Sequence, residues 1–117
     1  DALRANGFKA PISNGEFAVN GIKTGVLVVG PQDGNGMVED LCLNSVSDRP
    51  EFSCVDDYFR CITQKCGRRD FSSKAKIRVW IASHEDYDLY VGKAAEKGCW
   101  LWASPVFNPM KEFLLGL

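Results

Sequence analysis

The residues best suited to chemistry are the acids of one glycine-rich segment. Residues 30–40 read GPQDGNGMVED and follow an apolar run at 25–29. This segment contains Asp33, Glu39 and Asp40. Carboxylate oxygens are the ligands that Mg²⁺ or Mn²⁺ requires, and a protein often supplies only one or two of them. We therefore take Glu39, Asp40 and Asp33 as candidate metal ligands.

A purely structural role for the same acids stays open. Glu39 and Asp40 fall in the first turn of a predicted helix, where an acidic side chain stabilises the helix dipole by about 0.3–1 kcal/mol. No ligand is needed for that effect. The segment contains neither GxxxxGK[ST] nor GxGxxG, so its glycines do not predict a nucleotide-binding loop.

Basic side chains are concentrated in residues 65–78, where Asp70 is the lone acid. The cations there are Lys65, Arg68, Arg69, Lys74, Lys76 and Arg78. Arg68, Arg69 and Lys74 are our candidates for contact with phosphate groups, which would add salt-dependent affinity for a nucleic acid. A solvated surface is the alternative. The net charge of −1 excludes attraction of nucleic acid by the molecule as a whole.

The strands that would position these residues lie in the first third of the chain. Asn20-Gly21 between two apolar segments predicts an antiparallel hairpin. The continuous apolar run at 26–29 predicts a central strand covered on both faces. Composition is globular, with 45% hydrophobic and 25% charged residues in 117. We expect one α/β domain over 1–117, with a mixed sheet flanked by helices.

Helices are predicted from apolar residues spaced three and four positions apart. The first spans 37–46, and the second begins at a capping-box-like Asp48 and carries an apolar stripe from Phe52 to Ile62. The opposite, charged face of the second helix, which includes Asp56, is predicted to be a solvated surface. For the stretch after Ser72 a strand is the alternative, and we favour a helix. A fourth helix ends before Gly98, and an aromatic strand spans 99–103 with Trp100 and Trp102 on one side. The last helix begins at Ser104 or Asn108, and its Met110, Phe113, Leu114 and Leu117 dock it on the core.

Cysteine usage and hydropathy indicate the compartment. The five cysteines are odd in number and lack CxxC spacing, so we expect reduced thiols. No apolar stretch approaches the roughly 20 residues of a membrane helix, and no signal peptide opens the sequence. These features predict a cytoplasmic protein without membrane contact.

The order of several short motifs resembles a known family. The motifs are Leu3-x-x-x-Gly7-Phe8, Val29-Gly30-Pro31, Gly36-Met37-Val38-Glu39-Asp40, Lys74-Ala75 with Trp80-Ile81-Ala82, and Phe107-x-x-x-Lys111-Glu112-Phe113-Leu114. Together they resemble the C-terminal half of a bacterial Toprim-like family of unknown function. That family is related to the nuclease domain of the overcoming-lysogenisation-defect (OLD) proteins.

The resemblance implies a Toprim-type α/β sandwich that uses divalent metals to act on phosphodiester bonds. It implies metal ligation by Glu39 and Asp40, with Mg²⁺ or Mn²⁺ as cofactor and a nucleic acid or another phosphoester as substrate. The further acids of such a site would precede residue 1. Residues 1–7 also read as the last turn of a helix, so we expect the C-terminal part of a longer domain that is inactive alone. The alternative is a non-catalytic module that self-associates, as a homo-oligomer, or binds a partner protein.

Overall fold

Helices form most of the fold, and the class is mixed α/β. The computed structural model describes residues 2–7, 9, 11–13, 15–29, 36–85 and 90–117, except for the side chains of residues 3 and 20. The strands are β1 (Phe17–Asn20) and β2 (Ile22–Gly25). The helices are α1 (Ala2–Ala5), α2 (Val38–Val46), α3 (Ser53–Cys66), α4 (Ser73–Ala82), α5 (Val91–Glu96) and α6 (Asn108–Gly116).

The predicted hairpin is confirmed. Strands β1 and β2 pair antiparallel from Phe17 opposite Gly25 to Asn20 opposite Ile22. Gly21 joins them with a φ of 75°, a left-handed conformation that glycine adopts without a steric penalty.

The predicted central strand at 26–29 is wrong, because these residues lie outside both strands. The ladder ends where the chain preceding β1 bends at Gly15, which has a φ of 80°. The Gly15 N–H still donates to the Val26 carbonyl at 2.8 Å, just beyond the ladder. In the described residues the sheet therefore has two strands and is antiparallel, in place of the expected mixed sheet.

The core lies where α2, α3 and α4 pack together. Its most enclosed side chains, each at most 2% exposed, are Val46, Val55, Ile77, Trp80, Ala94, Trp100 and Phe107. The Trp80 indole N–H donates to the Cys99 carbonyl at 3.0 Å, so this buried polar atom is satisfied. The amphipathic spacing of the sequence thus places one face of each helix in a shared core.

The predicted helix after Ser72 is confirmed as α4. Ser72 is extended, and its hydroxyl accepts from the Ala75 N–H, as an N-cap residue does. The capping box predicted before α3 is wrong, because Asp48 does not occupy the cap position. Arg49 does, and Pro50–Phe52 forms a 3-10 turn before the α-helix begins.

The aromatic strand predicted at 99–103 is also wrong. The Ser104 N–H donates to the Leu101 carbonyl at 2.8 Å and closes a turn there. Trp100 is buried, whereas Trp102 is 42% exposed and its ring centre lies 4.7 Å from that of Phe107. The two tryptophans therefore do not share one side of a strand.

Helix α6 begins at Asn108, after a 3-10 turn at Pro105–Phe107. Its Met110 packs against the core, and Phe113 stacks on Phe17 of the hairpin with ring centres 5.1 Å apart. Leu114 and Leu117 are more than half exposed, so they do not dock on the core as predicted. No helix in the described part of the chain has the length and apolar character that crossing a bilayer requires.

Candidate metal and phosphate site

Asp40 joins the beginnings of two helices. Met37 precedes α2 in an extended conformation, and its N–H donates to Asp40 Oδ2 at 2.7 Å. The Ser73 hydroxyl, in the first turn of α4, donates to Asp40 Oδ1. The half-buried carboxylate thus has one hydrogen bond on each oxygen, which gives Asp40 a structural role whether or not it binds a metal.

Glu39 differs from its neighbour. Its side chain is half-buried, and no described residue forms a hydrogen bond or an ion pair with its carboxylate. Its negative charge acts on Cys42, one turn further along α2. Burial first, and then Glu39, raises the pKa of that thiol to about 11. Cys42 is therefore protonated near neutral pH, which makes it a poor metal ligand.

The rest of the predicted metal set is not brought to this point. Asp33 lies outside the described residues. In the part of the chain that is described, no group of three or more His, Cys, Asp or Glu side chains could hold a metal ion. All five cysteines are reduced thiols, as expected. Cys42 and Cys99 are buried, and Cys54, Cys61 and Cys66 are exposed on α3.

The candidate phosphate-binding cations lie around the start of α4. Arg68 and Arg69 belong to the non-helical segment between α3 and α4, and Lys74 is in the first turn of α4. All three are exposed, and none forms an ion pair with a described residue. The Arg68 guanidinium carbon lies 5.4 Å from the ring centre of Phe71.

A cavity of about 290 Å³ opens between α2, α4 and the beginning of α3. Its lining includes Asp40, Asn44, Asp56, Phe71, Ser73 and Lys76. Lys76 Nζ lies 3.1 Å from Asp56 Oδ1. The structure thus places one predicted metal ligand, Asp40, beside the segment that carries the predicted phosphate-binding residues.

The sequence did not predict most of this cavity. It indicated a solvated face for Asp56 and no role for Asn44. One signal was present: Asp40, Asn44 and Ser47 recur at steps of four and three residues on a single face of α2. A polar face opposite the apolar one is ordinary in a helix, so the spacing alone did not indicate a cavity.

Comparison with known proteins identifies the family. The family described as "Protein of unknown function (DUF3226)" matches residues 2–117. The chain belongs to this family. Searches of curated proteins and of solved structures found no match. The family description assigns no activity, so a function must be argued from the residues themselves.

Proposed function

We propose that this chain is part of a Toprim-like domain of a cytoplasmic, divalent-metal-dependent phosphoesterase that acts on nucleic acid. The observation that supports this proposal most is the difference between two adjacent acids. The carboxylate of Asp40 is hydrogen-bonded at both oxygens, whereas no described residue forms a hydrogen bond or an ion pair with that of Glu39. Glu39 is therefore the acid available to an external cation.

The donor chemistry fits Mg²⁺ or Mn²⁺. Both are hard cations that prefer carboxylate oxygens and keep several waters, so one or two protein ligands suffice at a given face. Such ions, when bound, stabilise the charge that develops on an attacked phosphate and on its leaving oxygen. Glu39 would be the ligand, and Asp40 would hold the two helix beginnings in place around it. Further ligands would come from other parts of the protein, so residues 1–117 alone would be inactive.

The exposed cations could hold the proposed substrate through its phosphates. Arg68, Arg69 and Lys74 are free of ion pairs within the described residues and lie in one segment next to Ser73, the partner of Asp40. Contacts from these side chains to phosphates would add affinity that falls with salt and does not depend on base sequence.

The experiment is a comparison of two matched variants in the full-length protein. Glu39→Gln keeps the size of the side chain and removes its charge, and Asp40→Asn does the same at the neighbouring position. We expect Glu39→Gln to abolish the heat of Mn²⁺ binding and metal-dependent cleavage of an oligonucleotide. Asp40→Asn should weaken metal binding less and lower the melting temperature more. Equal metal binding by wild type and Glu39→Gln would overturn the proposal.

A second candidate function is a non-catalytic module that self-associates. It is favoured by exposed apolar residues on α6 and the hairpin: Leu114, Leu115 and Leu117 with Val19 and Ile22. The Cα radius of gyration is 17.7 Å, against about 13 Å for a compact domain of this length. Exposed apolar residues that form one patch mark an interaction site, and the stacking of Phe113 on Phe17 brings α6 and the hairpin together.

Sedimentation velocity tests this alternative. The module should form dimers that Leu115→Lys dissociates, whereas Ile12→Lys, a change at another highly exposed apolar residue, should not affect them. A strict monomer across the micromolar range would count against self-association.

A further inference from the structure

The cavity beside the start of α4 has a lining that suits a nucleobase. We propose that it receives one unpaired base of a single-stranded nucleic acid, and that it prefers bases with an exocyclic amino group. This inference rests on the proposed nucleic-acid substrate, but it requires neither the metal nor catalysis. It is carried by the cavity's size, its acceptors and the cations at its rim.

The volume of the cavity and its aromatic lining residues suit a small, flat ligand. The volume of about 290 Å³ lies at the lower end of the range for ligand pockets, roughly 300–1,000 Å³. Phe52 and Phe71 are among the residues that line the cavity. Phe71 is half-buried between Phe59, at 4.5 Å between ring centres, and the guanidinium of Arg68. Aromatic and guanidinium groups are the surfaces on which unpaired bases pack.

The hydrogen-bonding groups of the cavity include two carboxylates. Asp40 receives its two hydrogen bonds from neutral donors, and no described cation forms an ion pair with it. Asp56 binds Lys76 through Oδ1, which leaves Oδ2 as an acceptor without a described partner. Carboxylates accept from the amino group of cytosine. Thymine carries a carbonyl oxygen at that position, which a carboxylate repels.

The rim of the cavity can hold the phosphates on either side of such a base. Arg68 lies against Phe71, and Lys74 follows Ser73 directly in the chain. Contacts to the phosphates give affinity without reading sequence, so base selection falls to the carboxylates inside the cavity.

A base inside this cavity cannot remain stacked in a duplex. Extracting a paired base requires a few kcal/mol, and an unpaired base largely avoids that penalty. A single strand should therefore bind more tightly than a duplex of the same length and charge per strand.

The test is fluorescence anisotropy with dye-labelled oligonucleotides in EDTA and low salt, on the full-length protein. The probes are oligodeoxycytidine, oligodeoxythymidine and a mixed-sequence duplex, each about a dozen nucleotides long. We expect oligodeoxycytidine to bind about five- to tenfold more tightly than oligodeoxythymidine, the lower end of what one specific base contact gives. The duplex should bind more weakly than oligodeoxycytidine.

Two variants separate base selection from phosphate contact. In Asp56→Asn the amide oxygen can still accept a hydrogen bond from Lys76. The amide NH₂ group then replaces the acceptor Oδ2 with a donor, so the preference for cytidine should vanish or reverse. Lys74→Ala should weaken both single strands by the same factor and leave their ratio unchanged. Circular dichroism of both variants verifies that they are folded.

Equal affinity for the two single strands, a duplex that binds as tightly as oligodeoxycytidine, or an unchanged ratio in Asp56→Asn would each overturn the base site. Absence of oligonucleotide binding would overturn it as well. Because EDTA removes metal from the assay, these results are independent of metal binding by Glu39, so the base site and the metal ligand can each fail while the other stands.

Discussion

The two neighbouring acids should differ sharply when each is replaced by alanine. Asp40→Ala removes the acceptor of the Met37 N–H and of the Ser73 hydroxyl. Glu39→Ala removes a carboxylate with which no described residue forms a hydrogen bond or an ion pair. We therefore expect Asp40→Ala to lower the free energy of unfolding substantially and Glu39→Ala to leave it nearly unchanged.

The size of the difference follows from the contacts. A hydrogen bond to a charged group contributes about 1.5–3 kcal/mol, and the half-exposed position of Asp40 favours the lower end. Two such bonds give about 3 kcal/mol for Asp40. Glu39 forms no hydrogen bond or ion pair with a described residue, so we assign to it the interaction with the helix dipole, about 0.3–1 kcal/mol, and the higher helix propensity of alanine offsets part of that.

Urea unfolding followed by circular dichroism measures both changes. The protein should unfold at a lower urea midpoint in Asp40→Ala, with an unchanged slope. At roughly 4 °C per kcal/mol, its melting temperature should fall by about 12 °C. Ser73→Ala should reproduce about half of the loss, and the double variant should lose less than the sum of the single changes because the two residues share one bond.

The result that would refute this reasoning is equal stability of Asp40→Ala and Glu39→Ala, within about 0.5 kcal/mol, the limit of additivity for independent sites. Asp40 would then not link α2 to α4 in solution. Asp40 would then have no structural role, and the argument that Glu39 is the carboxylate available to a cation would be wrong.

Three further predictions concern the hairpin, one buried thiol and the core. A Cβ added at Gly25 would lie 2.7 Å from the Phe17 ring and 2.8 Å from the Phe113 ring, so Gly25→Ala should destabilise the fold by about 1–3 kcal/mol in thermal unfolding; a neutral result would contradict this packing. The raised pKa of Cys42 means that the folded state keeps its proton between pH 9.0 and about 11 while the unfolded state loses it. The stabilisation that the protonated Cys42 thiol gives the folded state is therefore fully present below pH 9.0 and is lost as pH rises through 11. The free energy of unfolding should decrease on the order of 2 kcal/mol over that range, and Cys42→Ala should remove this pH dependence. Ile77→Val, at a residue 1% exposed, should lower stability by about 0.5–1.5 kcal/mol in urea unfolding, and a smaller loss would mean that the site repacks.

The helices could be predicted from the sequence because their information is local. The apolar spacing in α2, α3 and α4 reports which face is buried, and Ser72 marks where α4 begins. The strand predicted at 26–29 failed because a strand is defined by its hydrogen-bonding neighbour, which an apolar run does not reveal. The aromatic segment at 99–103 failed for the same reason.

The candidate site was predictable only in part. The acids of α2 were found from their residue type, whereas the bond between Asp40 and Ser73 joins residues 33 positions apart and depends on how two helices pack. The contact of Lys76 with Asp56 likewise bridges two helices. No spacing rule within one element could indicate either contact, so the cavity became visible only in three dimensions.

The most direct test of the central claim is calorimetric titration of Mn²⁺ into the full-length protein, with wild type and Glu39→Gln measured side by side at neutral pH. We predict saturable binding by the wild type at or below millimolar metal and its loss in Glu39→Gln, with the variant's unfolding curve unchanged. Absence of divalent binding by the wild type, or equal binding by the variant, would contradict the assignment of Glu39 as a metal ligand.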